Sequence, residues 1–276
     1  MAETPLSPVV MTSASTEYRE FEPHKRLKAY IACYWESRPL QTSGSAGESL
    51  VIPDGCSDIL FDYDASKNSF HLTYCGIFGH HFAVPVPACS SNVTFGIRFL
   101  PGVSRLFIRE SARHFTNQMY AMEDIDPLLA RELLKIFTSS SDTKTLIQKL
   151  NDFFLKKIQK QPVLSLQDER IETILHHIVQ TGGRLSVKEI SRAHQLSTRT
   201  LQRLFDERVG LSPKKFSQVI RFQLLLSDFT RKRPSSLIDC DTALSFYDES
   251  HLYHELVKHT GKTPSQLTVS DFYKKG

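Results

Sequence analysis

Apolar positions change their period along the chain, and the change divides it into parts. Between Leu50 and Phe99 they come as short aromatic and β-branched runs: Leu50-Val-Ile-Pro53, Ile59-Leu-Phe-Asp-Tyr63, Phe70-His-Leu-Thr-Tyr74 and Val93-Thr-Phe-Gly-Ile-Arg-Phe99. Turn signals at Asp54-Gly55, Ser66-Lys-Asn68 and Pro85-Val-Pro87 punctuate them, so the pattern predicts strands of a small sandwich or barrel. After Gly102 the spacing becomes helical over Val103 to His114, Asp126 to Phe137 and Asp142 to Gln159. The last of these carries Leu146, Ile147, Leu150, Phe154 and Ile158 on one stripe, read as core or as a dimer seam. Arg170 to Gln180 repeats the helical pattern through Ile171, Ile174, Leu175 and Ile178 and stops at Gly182-Gly183.

From Leu185 to Pro264 one pattern is written twice. Leu201-Gln-Arg-Leu-Phe-Asp-Glu-Arg-Val-Gly-Leu-Ser-Pro213 aligns without a gap on Leu252-Tyr-His-Glu-Leu-Val-Lys-His-Thr-Gly-Lys-Thr-Pro264, at an offset of 51 residues. The retained positions build a helix, stop it at Gly210 or Gly261, and start the next at Ser212-Pro213 or Thr263-Pro264. In the first copy Ser186 caps Val187 to His194, with Glu189 completing a capping box, and Ser197 caps a second helix to about Arg208. Leu201, Leu204, Phe205 and Arg208-Val209 face inward; Arg199, Gln202, Arg203 and Asp206 share the opposite face. Arg and Gln present planar donors that match guanine and adenine edges in the major groove. Two copies of a DNA-reading unit with different base-facing residues would have this form.

Ser197-x-Arg199-x-Leu201-Gln202-Arg203-Leu204-Phe205, Gly210-x-Ser212-Pro213 and Phe246-x-Asp248-x-Ser250-His251-Leu252 resemble the C-terminal domain of the AraC/XylS regulators over about residues 168 to 267. The resemblance implies two helix-turn-helix units joined by a long helix, Pro213 to about Thr230. The recognition helices would be Thr198 to Arg208 and Ser250 to His259. By position it implies DNA contacts from Arg199, Thr200, Gln202 and Arg203, then from Glu249, Ser250, His251, Tyr253 and His254. Phosphate contacts would come from Ser197, Lys214 and Lys215. Pro53-Asp-Gly-Cys-Ser-Asp-Ile-Leu-Phe61 and Phe95-Gly-Ile-Arg-Phe-Leu-Pro-Gly102 resemble, more weakly, the cupin-like effector domains that precede this module.

The fold class expected is therefore α+β: a cupin-like β-barrel followed by helices, then an all-α DNA-binding domain. The expected division is a sensor or dimerisation domain at 1–160, a linker at 161–167 and a DNA-binding domain at 168–276. The resemblance further implies a transcription regulator, with activation expected and RNA polymerase as a second partner. A homodimer and a small-molecule effector remain open, with the effector site unidentified. No cofactor is expected.

The 276 residues, 40% of them hydrophobic, suffice for two ordinary cores. The net charge of +4 lies in the last 109 residues, which hold 17 Lys/Arg and 13 Asp/Glu against 17 of each before them. Within that part the two units differ: Arg184 to Arg233 carries 12 basic and 4 acidic residues, Pro234 to Gly276 only 4 against 6. Phosphate attraction should thus come mainly from the first unit. The second also departs from the family pattern, with Cys240-Asp241 for Ile-Ala, Ser245 for Gly and His254 for Arg. The absence of an apolar run of membrane-spanning length or a signal-peptide core leads to the expectation of a cytoplasmic protein.

Other chemistry is weaker. Cys33, Cys56, Cys75, Cys89 and Cys240 contain no C-x-x-C pair, which argues for reduced, mostly buried thiols and against a cysteine-ligated zinc domain. Asp54 and Asp58 could form a carboxylate pair, but Asp54-Gly55 at a turn corner is the simpler reading. His80-His81 would point to opposite faces of a strand and lacks a third metal ligand. Trp35 reads as core or pocket wall, and His176-His177 as a solvated or capping pair. An enzyme built on the front domain, or a protein-binding module, are the alternatives to a DNA-binding regulator.

Overall fold

The computed structural model describes residues 8–12, 16–40, 47–64, 67–86, 92–108, 110–160, 166–234 and 236–273. Strands β1 (Thr16–Phe21), β2 (Ile31–Pro39), β3 (Gly47–Val51), β4 (Ser57–Asp64), β5 (Ser69–Cys75), β6 (Phe82–Val86), β7 (Val93–Phe99) and β8 (Met119–Ala121) come first. Helices follow: α1 (Met122–Ile125), α2 (Pro127–Thr138), α3 (Thr143–Gln159), α4 (Leu166–Gln180), α5 (Val187–Ala193), α6 (Thr198–Arg208), α7 (Pro213–Lys232) and α8 (Glu249–Thr260). The fold is mixed α/β, a strand-rich front part and a helical C-terminal part.

Six strands form one antiparallel sheet in the order β1-β2-β7-β4-β5-β8, and β3 pairs with β6 in a separate ladder. The expected closure into a barrel is not seen among the described residues, where β1 and β8 form the two edges of the six-stranded sheet. Period-two alternation sets its faces: Phe95, Ile97 and Phe99 of β7, with Ile59 and Phe61 of β4, point into one core. That core is closed by Leu129, Leu133 and Phe137 of α2 and Leu146, Leu150 and Phe154 of α3. The α3 stripe is thus intradomain packing. Asp126 and Asp142 cap these two helices by accepting from backbone amides.

The alternating runs marked β4, β5 and β7 closely and part of β3, but β1, β2, β6 and β8 had no such mark. β1 is a half-buried edge strand, charged at Glu17, Arg19 and Glu20, so little hydrophobic signal survives. The helix expected over Val103 to His114 is two short 3-10 turns, Ser104–Leu106 and Ala112–Phe115. Phe107 packs on Phe99 and Phe154 while Phe115 meets Tyr74 edge-on, so the segment serves two separate contacts rather than one straight face.

Helices α4 to α6 and the start of α7 surround a second core containing Ile174, Ile190, Leu201, Phe205 and Phe216. A third core, around Phe222, Leu226, Phe229, Leu252 and Leu256, holds the rest of α7 against α8. Residues from the front half enter both: Ile77 joins the second, and Ile52, Leu50, Val9 and Met11 the third. The linker expected at 161–167 lies mostly outside the described residues, as does Cys89. Cys33, Cys56, Cys75 and Cys240 are free and buried. Among the described residues, no helix is long and apolar enough to cross a membrane, and no three His, Cys, Asp or Glu side chains gather as a metal site.

Candidate nucleic-acid interface

The first helix-turn-helix is assembled by local chemistry. Ser186 and Glu189 form the reciprocal capping box of α5, and Ser197 accepts from the Thr200 amide at 3.0 Å to start α6. Gln195 takes a positive φ of 54° in the connecting turn. Leu201 and Phe205 are fully buried, so truncating either would cost about 3–5 kcal/mol. Arg208, at the end of that inward face, is buried too, and its guanidinium pairs with Asp168 and donates to Gln167 at 3.0 Å. α4 is thereby tied to α6 by charge as well as by apolar packing.

On the outward side Arg199, Gln202 and Arg203 are exposed. Gln202 donates its amide to Asp206 at 3.2 Å, which leaves its carbonyl oxygen outward. Ser197 and Thr200 share a 2.8 Å hydroxyl contact within the cap. Lys214 is exposed at the start of α7. Lys215 is half covered, and burial followed by the neighbouring Lys258 pushes its ammonium down to about 8. Of the two lysines predicted at phosphate, Lys214 is thus the freer.

The second unit has the same landmarks with different content. Asp248 caps α8 by accepting from His251 N at 2.7 Å, and Gly261 ends it at φ 68°. Glu249, Ser250, Tyr253 and His254 are exposed; His251 is half-buried and its Nδ1 accepts from Tyr247 N. The supporting helix is reduced to two 3-10 turns, Leu237–Asp239 and Asp241–Ser245. Here Cys240 is extended and the Asp228 carboxylate of α7 accepts from the Thr242 amide and hydroxyl, which gives the backbone an alternative to helix. Leu244 and Tyr247 stand 88% and 92% exposed, so the approach to α8 presents apolar rather than cationic groups. Ile238, Glu249, Ser250, Leu252, Tyr253, His254 and Pro264 line a cleft of about 270 Å³ beside it.

The structure also gives partners that the sequence did not mark. Arg98 lies buried between Asp54 at 3.2 Å and Asp58 at 3.3 Å, with Trp35 donating to Asp58 at 2.7 Å. Burial raises the Asp58 carboxyl to about 6, against the opposing pull of Arg98. Asp54 also accepts from Cys56 N, the turn role expected of it. His177 is not merely solvated: its Nδ1 lies 2.9 Å from Nε2 of His194, joining α4 to the end of α5. Gln223, 2% exposed in α7, accepts from Val9 N and donates to Val9 O and Pro53 O. A single amide within the apolar run Val219-Ile-Arg-Phe-Gln-Leu-Leu was the signal available for it.

The helix-turn-helix domain family matches residues 190–268, spanning both units and the helix between them. Residues 190–268 are an AraC-type helix-turn-helix module. A helix-turn-helix module at these residues supports a DNA-binding transcription regulator. Residues 19–121, most of the sheet, match a domain of unknown function, DUF6597. No curated protein sequence matches the chain. Among solved structures it is similar to ToxT from Vibrio cholerae O395, at 11% identity and a TM-score of 0.40, over 92% of this chain and 97% of that one. Apo ToxT from strain SCE256 gives 12% identity and 0.43, over 93% and 97%. The AraC-like transcriptional activator CuxR gives 10% and 0.22, over 77% and 86%.

Proposed function

We propose that the AraC-type module binds a bipartite DNA site unequally, with most of the sequence information read by α6. The observation that carries this reading is the exposed Arg199, Gln202 and Arg203 on a helix whose other face is locked into a core. Arginine bidentate to guanine and glutamine to adenine each contribute about 1–3 kcal/mol of discrimination. The 20 residues of α7 make a spacer of about 30 Å, close to the roughly 34 Å between successive major grooves on one face of B-DNA. Thr200 and Ser197 at the start of α6 and Lys214 and Lys215 at the start of α7 serve the backbone. α8 offers Glu249, Ser250, His251, Tyr253 and His254, a set without Lys or Arg, and reads its half weakly or through DNA shape.

In this reading 168–276 is the DNA-binding domain, 1–160 the sensing or dimerising domain and 161–167 the link. An effector acts by preferring one arrangement of the front domain, and its leverage equals its differential affinity for the two. Where the two parts meet, a cavity of about 10 Å³ lined by Gly55, Tyr74, Ile77, Ser104 and Val209, among others, has room for one water. An effector seated there would have to part the surfaces. RNA polymerase and a second copy of the chain are the protein partners of this reading. Selection of bound sequences from random duplex DNA, with and without a metabolite extract, tests the proposal. It expects a site with one sharply and one loosely defined half; the absence of any enriched sequence would refute it.

A further inference from the structure

The glycines that end the two recognition helices, equivalent in the repeat, are both contact points for the front domain. Gly210 has φ 93°, and a Cβ there would lie 2.9 Å from both Ile77 Cγ2 and Thr116 Oγ1. The Thr116 hydroxyl donates to Gly210 O at 2.6 Å, and the Ser111 hydroxyl to Glu207 O at 3.4 Å. In the second unit a Cβ on Gly261, φ 68°, would lie 2.8 Å from His81 Nε2. His81 Nδ1 sits 3.0 Å from Lys258 O, a carbonyl left open at the end of α8. Between these points Gly79 lies against Leu211 and Lys215 at the start of α7. One stretch, Ile77 to His81, therefore touches the first unit, the joining helix and the second unit in turn. Asn117 holds that stretch in shape, its amide donating to Ile77 O at 2.9 Å and its side chain accepting from Gly79 N at 2.8 Å.

We infer that Ile77–His81 is a strap that fixes the separation and angle of the two recognition helices, with His81 and Thr116 as positioning residues for DNA binding. Five residues reach at most about 14 Å from first to last Cα, so the strap holds the C-terminal ends of α6 and α8 within a short, fixed span. The grip falls on the helix ends, while the exposed base-reading candidates Arg199 and Gln202 lie nearer the start of α6 and Arg203 at its middle. Displacing the strap shifts both helices together, which gives the front domain a direct route to the DNA-bound geometry.

The inference rests on the bipartite reading above, and one experiment separates the two. Duplexes selected by the wild-type chain are altered by inserting one, two or three base pairs between the half-sites, and affinities are compared for the full-length wild type, His81→Ala, Thr116→Val and the double variant. The wild type should lose about tenfold or more with each displaced half-site, a loss on the scale of one mismatched contact. The double variant should lose less than about threefold, yet bind the first half-site alone as the wild type does. Thr116→Ser, which keeps the hydroxyl, should retain the wild-type spacing preference. If the double variant does not fold, His81→Ala, altering a half-buried ring at the junction, carries the same comparison. An unchanged spacing preference, or an equal loss at all spacings and on the isolated half-site, would overturn the strap alone. Failure of the wild type to select any sequence would overturn the DNA reading and the strap with it.

Discussion

Replacing each helix-ending glycine by alanine should separate backbone strain from interdomain fit. At both positions the left-handed φ costs alanine about 1–2 kcal/mol, offset by about 0.4–1 kcal/mol from the less flexible unfolded chain. At Gly261 the atoms nearest the new methyl all belong to the His81 ring, the tip of a side chain that can turn away, so a net cost of about 1 kcal/mol is expected. At Gly210 it meets Ile77 Cγ2, Thr116 Oγ1 and, at 3.0 Å, the backbone oxygen of Ala112. A backbone oxygen cannot rotate aside, and overpacking of this kind adds about 1–3 kcal/mol. Gly210→Ala should therefore cost about 2–4 kcal/mol. Urea titrations would measure both variants, following far-ultraviolet circular dichroism for the helices and the fluorescence of Trp35, the only tryptophan, for the sheet. In Gly210→Ala both probes should shift to lower urea, because the strained contact lies between the two parts. Equal costs for the two variants, within about 0.5 kcal/mol, would refute this account of the junction.

Arg203→Ala should weaken binding to a selected duplex by about 1–3 kcal/mol and relax preference at one base position, with a smaller effect from His254→Ala; equal losses in gel-shift titrations would contradict the unequal site. Asp58 holds a proton in the folded protein to about pH 6, whereas the unfolded chain releases it near 3.8, so stability should fall by about 3 kcal/mol as pH rises across that window. Asp58→Asn should flatten that limb in urea midpoints measured from pH 4 to 7. His259 is wholly buried with its Nδ1 3.9 Å from the Glu255 carboxylate, and burial, then Lys215 and Lys258, push it down to about 3 against the opposing pull of a backbone hydrogen bond at Glu255. Since the unfolded imidazole binds its proton near 6.5, stability should be lost as pH falls from about 6.5 toward 3. His259→Leu should remove that loss and leave stability at pH 7 equal or higher; a strongly destabilised variant would mean that the ring has a role beyond filling space.

Much of the helix-turn-helix frame was legible because its determinants are local. Ser186 with Glu189, Ser197, Ser212-Pro213 and the terminal glycines act within one helical turn, and each operates where its spacing placed it. The 3.6-residue period put Leu201, Leu204 and Phe205 inside and Arg199, Gln202 and Arg203 outside. The same reasoning failed where one period served two demands. Val103 to His114 has helical spacing but divides its apolar groups between separate contacts, and β1 and β6 lack the alternation that marks a half-buried strand.

The sequence by itself determined the duplicated frame, the caps and stops of its helices and the basic face of its first unit, since these follow from residues a few positions apart. Tertiary structure alone decided that Arg98 would sit between Asp54 and Asp58, that Gln223 would bind Val9 and Pro53, and that Ile77 and His81 would meet Gly210 and Gly261. Those partners lie from about 40 to over 200 residues apart. Their encounter depends on how the sheet and the helices pack as whole bodies, which no short-range pattern encodes.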